Sequence, residues 1–210
     1  MLEKIQIRIV AGNLRGRRIT AIVHEGMRPT PQMVREALFS ILGNAVPDRI
    51  FYDVFAGTGI VGLEAISRGA SSARLIEKDA RQVLDIQKYA YQFGVASKVQ
   101  VLKADVYRWG ERWIPVGRDP VNLFLSPPFP DLSEKAEEFL TLVNTLIEKA
   151  PNESVLTIQA EDGFPLDKLP TPDAWDVRRY GRNMLLFLVK LEPTTPPAAT
   201  APAETITTIP

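Results

Sequence analysis

The sequence predicts an α/β fold: a mixed seven-stranded sheet with helices on both faces, preceded by a β-hairpin. Three observations carry that expectation. From residue 50 onward, apolar runs of strand length alternate with segments of helical period. A glycine turn at Gly57-Thr58-Gly59 joins the first of these runs to the helix after it. The last two strand candidates are separated only by Gly181-Arg182-Asn183, too short for a crossover helix, so the sheet must end in an antiparallel pair.

The elements follow in order. Ile5, Ile7 and Ile9 alternate with polar residues, and Ala11-Gly12-Asn13 supplies turn chemistry. The chain can then return from Arg17 to Val23, giving a hairpin with Arg15, Arg17 and Arg18 at or near its bend. Thr30-Pro31 reads as an N-cap with proline at the first helical position. Val34, Leu38, Ile41 and Leu42 make one apolar helix face, ended by Gly43. Parallel strands are expected at 50–55, 73–77, 99–103, 121–125 and 154–159. Helices are expected at about 59–68, 79–93 and 133–149. Strands 175–180 and 184–190 close the sheet. This is a Rossmann-like arrangement, in which right-handed crossovers bring the strand C-termini to one ligand-binding edge.

Three segments result: a basic hairpin extension (1–28), a Rossmann-like domain (29–191) and a tail (192–210). In the tail, 15 residues are Thr, Pro or Ala, too few apolar groups to order the chain, so it is expected to be disordered.

Composition narrows the chemistry. The chain of 210 residues has no cysteine and one histidine, His24, which excludes thiolate chemistry and argues against histidine metal clusters or a Ser-His-Asp triad. His24 reads as a surface strand residue. No apolar run approaches the roughly 20 residues that span a bilayer. A monomeric cytoplasmic protein with no membrane or metal partner is expected. Net charge is zero, yet residues 1–35 hold seven basic side chains against two acidic ones. A +5 surplus at one end suits local recognition of a polyanion.

Gly57-Thr58-Gly59-Ile60-Val61-Gly62 fits G-x-G-x-x-G between a strand and a helix. The pattern alone does not separate a nicotinamide cofactor from S-adenosylmethionine. Glu77 ends the second parallel strand, where a carboxylate can accept both ribose hydroxyl hydrogens. Asp105 follows the third strand, and Asp53 lies just upstream of the turn. Trp109 and Trp113, four apart, read as a helix packing face.

Ser126-Pro127-Pro128-Phe129 ends the fourth strand, 67 residues past Gly59. It resembles the (Asp/Asn)-Pro-Pro-(Phe/Tyr) signature of amino-group methyltransferases. There, the first side chain and a proline carbonyl accept the two amine hydrogens and free the nitrogen lone pair. Two prolines fix the extended backbone, and Phe129 offers a stacking ring.

Taken together, Arg8 to Arg18, Arg28-Pro29-Thr30, Val34 to Phe39, Asp53 to Gly59, Gly62-Leu63-Glu64-Ala65, Ser67 to Ala70 and Ile76 to Asp79 resemble the RsmD family over about residues 7–190. That family methylates the N2 amine of a guanine in bacterial 16S ribosomal RNA. The resemblance implies the methyltransferase form of the fold, with S-adenosylmethionine as cofactor. The partner it implies is ribosomal RNA or a small-subunit assembly intermediate. It assigns Asp53, Phe55, Ala56, Gly57, Thr58, Gly59, Glu77, Lys78, Asp105 and Val106 to the cofactor. Ser126, Pro127, Pro128 and Phe129 become catalytic, Arg28, Pro29 and Thr30 border the target pocket, and Arg15, Arg17 and Arg18 face RNA. One position departs: the family has Asp or Asn where this chain has Ser126, a shorter acceptor that must also place its own proton. An efficient enzyme and a weakened or inactive paralogue that binds cofactor and RNA both stay open.

Overall fold

The computed structural model describes residues 3–23 and 27–192; His24 and residues 193–210, nearly all of the tail, lie outside the described residues. The hairpin forms as expected, β1 (Glu3–Arg8) pairing antiparallel with β2 (Arg18–Val23) as a separate two-stranded sheet. Next come α1 (Gln32–Leu42), β3 (Ile50–Asp53), α2 (Ile60–Ser67), β4 (Ser72–Glu77) and α3 (Ala80–Gln92). They are followed by β5 (Val99–Lys103), α4 (Val106–Arg112) and β6 (Asn122–Leu125). The chain continues through α5 (Asp131–Glu134), α6 (Ala136–Lys149), β7 (Val155–Glu161), β8 (Asp176–Tyr180) and β9 (Asn183–Val189).

The seven-stranded sheet has the order β5-β4-β3-β6-β7-β9-β8. β3 to β7 run parallel, and β9 enters antiparallel between β7 and β8. The strand order reverses between β3 and β6, so a crevice opens beyond their C-terminal ends. One face packs on the hairpin, α1, α2 and α3, with Ile19, Leu38, Leu63 and Ile86 in that layer. The other packs on α4 and α6 through Val106, Phe139 and Leu146. Trp109 and Trp113 pack against Tyr52 on this second face, Trp113 edge-on at 5.4 Å, as their spacing suggests.

Three local features differ from the sequence reading. Thr30 does not cap α1: Pro31 occupies the cap position without a side-chain bond, and the Thr30 hydroxyl turns away to Gln159. The helix expected at 133–149 is broken at Lys135 (φ −125°, ψ 33°) into α5 and α6. A seven-residue helix, α4, follows Asp105, whose carboxylate accepts the Arg108 N–H at 3.2 Å and caps it.

A buried ion pair locks the N-terminal segments to α2. Arg35 (1% exposed) donates from Nε to Glu64 at 3.1 Å, from one terminal nitrogen to the Thr30 carbonyl at 2.7 Å, and from the other to the Arg8 carbonyl at 2.9 Å. Arg68 pairs with the remaining Glu64 oxygen at 2.8 Å, so this carboxylate is neutralised on both sides. Among the described residues, no helix is long and apolar enough to cross a membrane.

Candidate active site

A cavity of about 450 Å³ opens at the sheet edge where β3, β4, β5 and β6 end. That volume is within the range of small-molecule sites. The β3 side is built by the glycine turn. Gly57 has φ +51° and Gly59 φ +73°, a region that disfavours any residue with a Cβ. Their surroundings differ. A Cβ on Gly57 would find only the Met27 methyl, at 4.0 Å, and so would project into the cavity. One on Gly59 would lie 2.6 Å from Ile86, against α3. Gly57 therefore keeps a backbone surface open to a ligand, whereas Gly59 lets α2 and α3 pack.

Glu77 at the end of β4 accepts the Gly57 N–H at 2.7 Å and the Asp79 N–H at 2.8 Å, one on each oxygen. An ionised carboxylate offers about four acceptor positions, so two remain for a ligand's hydroxyls. Asp53 is 1% exposed, and its carboxylate accepts the Gly62 N–H at 2.9 Å at the start of α2. Burial raises its pKa to about 7; the Gly62 N–H opposes that shift and the neighbouring Glu77 charge adds to it. Asp105 stands on the third wall beside Val106, with Lys78 exposed at the rim.

The β6 end supplies Ser126, Pro127, Pro128 and Phe129, all lining the same cavity. Beside them are Arg28, Pro29 and Thr30. Arg28 lies 6.0 Å from the centre of the Phe129 ring and 3.6 Å from Glu161. Of the cofactor candidates, Asp53, Phe55, Ala56, Gly57, Thr58, Glu77, Lys78, Asp105 and Val106 line the cavity; Gly59 does not. Arg15, Arg17 and Arg18 are exposed on the hairpin away from the cavity, Arg17 lying over Phe93 at 5.9 Å.

Some functional candidates escaped the sequence reading. Tyr107 lines the cavity and donates to Asp131 at 2.9 Å, while its ring meets Phe55 edge-on at 6.0 Å. Burial and the Asp131 carboxylate raise the Tyr107 pKa far above the usual phenol range, so it stays a donor. Gln159 lies on β7, 2% exposed, behind Thr30 and Ser126. The sequence does not single it out, since β7 also carries the polar residues Thr157 and Glu161.

The fit to S-adenosylmethionine rests on this donor set. A cradle free of side chain at Gly57, spare acceptor capacity on Glu77, and the carboxylates of Asp53 and Asp105 suit a cationic nucleoside. The sheet order and the cleft at its reversal define the class, the Rossmann-like fold of S-adenosylmethionine-dependent methyltransferases. The structure superposes on that of the Escherichia coli protein yhhF with a TM-score of 0.68 and 28% identity, over 89% of this chain and 98% of that one. The family model described as Conserved hypothetical protein 95 matches residues 7–189, and the chain belongs to that family. It is the RsmD family of the sequence motifs.

Two relatives carry the name Ribosomal RNA small subunit methyltransferase D. One, from Buchnera aphidicola subsp. Acyrthosiphon pisum (strain APS), is 31% identical over 125 residues, 59% of this chain and 63% of its own length. The other, from Escherichia coli (strain K12), is 49% identical over 74 residues, 35% of this chain and 37% of its own. The chain thus spans less than two thirds of the length of either relative in these alignments.

Proposed function

We propose that this protein is an S-adenosylmethionine-dependent methyltransferase acting on a guanine N2 amine of small-subunit (16S) ribosomal RNA. The observation that carries the reading is the meeting of two half-sites in one cavity: Gly57, Glu77 and Asp105 on one side, Ser126 to Phe129 on the other. The names of the relatives point the same way. When bound, the cofactor supplies an electrophilic methyl group on sulfur. Glu77 and Asp105 hold its nucleoside, and the open Gly57 backbone lets it approach. Ser126 Oγ and a proline carbonyl accept the amine hydrogens, aiming the nitrogen lone pair into the cavity. Phe129 stacks on the base, and Arg28, Pro29 and Thr30 border it. Arg15, Arg17 and Arg18 on the 1–28 extension contact RNA phosphates outside the cavity. Residues 29–191 form the catalytic unit, acting in the cytoplasm.

Transfer of labelled methyl to small-subunit RNA or partly assembled subunits at low salt is the expected result. Folded protein that labels neither would end the proposal. Ser126 favours a second reading, a paralogue that binds cofactor and RNA with little turnover. Losing one well-aimed electrostatic contact costs about 10²–10³ in rate. Under the second reading, Ser126→Asp raises the rate by about that factor; under the first, the gain stays below about tenfold.

A further inference from the structure

The Ser126 hydroxyl has one proton and two lone pairs, and its usefulness as an acceptor depends on where that proton goes. A proton aimed into the cavity would oppose the amine hydrogens. A proton aimed away leaves only lone pairs facing them. An aspartate or asparagine oxygen meets no such choice.

The answer lies behind the cavity wall. Ser126 donates to Gln159 Oε1 at 3.2 Å, and Thr30 donates to the same oxygen at 2.8 Å. The two hydroxyls use both lone pairs of that carbonyl. Gln159 Nε2 donates in turn to Asn183 Oδ1 at 3.1 Å. The chain of bonds has a direction: amide hydrogen toward β9, amide oxygen toward the cavity wall. A reversed amide would donate to Ser126 and turn its proton toward the target. Gln159 does not line the cavity, so it acts through Ser126 and not on the substrate.

The arrangement is anchored at its far ends. The Thr30 carbonyl is held by Arg35 at 2.7 Å, within the Arg35–Glu64 pair. Asn183 is fixed in the β7–β9 ladder opposite Glu161. A glutamine 2% exposed in a central strand is costly unless its polar atoms are used, and here each is used.

We propose that Gln159 is a positioning residue: it takes the protons of Ser126 and Thr30, so that Ser126 presents only lone pairs to the amine. The Ser126–Gln159 pair then does what a single Asp or Asn side chain does at this position in relatives of the resemblance. The proposal rests on the methyltransferase reading above.

The test is a double-mutant cycle on the full chain. Gln159→Met and Gln159→Glu are each made with Ser126 intact and with Ser126→Asn. Methyl-transfer kcat, RNA KM, calorimetric affinity for S-adenosylmethionine and the thermal midpoint are measured for all. With Ser126 intact, Gln159→Met should lower kcat by about 10–100-fold, in keeping with loss of one aimed polar contact. With Ser126→Asn, the same change should cost less than about threefold, because that side-chain carbonyl has no proton to place. Gln159→Glu, whose carboxylate accepts both hydroxyl protons, should recover most of the loss. Cofactor affinity should stay within about twofold throughout, which a general disturbance of the fold would not allow.

An equal loss in both Ser126 backgrounds overturns the assignment, as does an unchanged or increased kcat in Gln159→Met with Ser126 intact. Should Gln159→Met not fold, Asn183→Leu frees the amide to reverse, and the same contrast between backgrounds is required of it. No transfer by either the natural chain or Ser126→Asn brings down the functional reading and this assignment with it. Transfer by both, with Gln159→Met costing the same in each, brings down the assignment alone.

Discussion

The two halves of the cavity are built by different means. In the cofactor half, contacts span 2 to 20 residues and join a side-chain carboxylate to backbone N–H groups: Glu77 holds Gly57 and Asp79, and Asp53 holds Gly62 nine residues away. In the target half they are long-range and made by side chains: Thr30 reaches Gln159 across 129 residues, and Ser126 reaches it across 33. The cofactor half therefore depends on two carboxylates and on the glycine turn they hold. A side-chain site depends on a few polar groups finding each other, and each unpaired group costs about 1–3 kcal/mol. Serine at position 126 lies in this second half, where the proposed compensation by Gln159 is a matter of one side chain and its partner.

The largest expected effect follows from breaking the support of the target half. Arg35→Ala removes the donor to Thr30, Arg8 and Glu64 and leaves a buried carboxylate with only Arg68. A loss of about 3–5 kcal/mol is expected, seen as a lower urea midpoint at unchanged slope. A shift below about 1 kcal/mol would mean that the target half is not held from this side.

In the cofactor half the comparable lever is pH. The folded pKa of Asp53 is raised to about 7 from 3.8, so its contribution is fully present below the unfolded value and fades as pH rises through the folded one. Stability should therefore fall by a few kcal/mol between about pH 4 and pH 7 on account of this group, and Asp53→Asn should flatten that slope. Binding of a cationic cofactor beside Asp53 favours its charged form, so binding below pH 7 should release protons. Calorimetry in buffers of different ionisation heat measures that release; proton uptake would contradict the placement of the cation near Asp53.

The two glycines of the turn sharpen the contrast within one half. Gly59→Ala should cost about 1–3 kcal/mol of stability, through left-handed strain and the 2.6 Å clash with Ile86, and Ile86→Ala should relieve part of it. Gly57→Ala should cost only about 1 kcal/mol of stability yet weaken cofactor binding by about tenfold or more, since its Cβ enters the cavity. Equal effects on binding from both would place Gly59 against the ligand after all.

The same division explains what the sequence could reveal. The five parallel strands, the glycine turn, Glu77 and Asp105 were legible because each is written in a local pattern: an apolar run, a turn residue, an acid at a strand end. β5 is found at residues 99–103 as expected, and α3 begins one residue after its cap Asp79. Local signals also misled. Thr30 before Pro31 has the form of a helix cap, but its hydroxyl is used 129 residues away. Gln159, the Tyr107–Asp131 bond and the Arg35–Glu64 pair have no local signature, because each becomes meaningful only after the crossovers bring distant segments together. Ser126 was legible as a departure, whereas its partner was not.

The smallest effect should come from the arginines of the hairpin, which belong to neither half. Arg15, Arg17 and Arg18 are exposed and lie outside the cavity, so neutralising them should leave cofactor affinity unchanged. Their proposed contacts are with phosphates, whose contribution is counterion release. Each lost contact should lower the slope of log affinity against log salt by about 0.7–0.9. Replacing all three by glutamine should therefore flatten the slope by about 2, with RNA affinity at low salt falling much more than at high salt. Arg17 is a partial exception, since its position over Phe93 adds a packing contribution of about 0.5–1 kcal/mol to stability. Arg15→Gln with Arg18→Gln isolates the electrostatic part. An unchanged salt slope in that pair would move the RNA path off the hairpin and onto another face of the molecule.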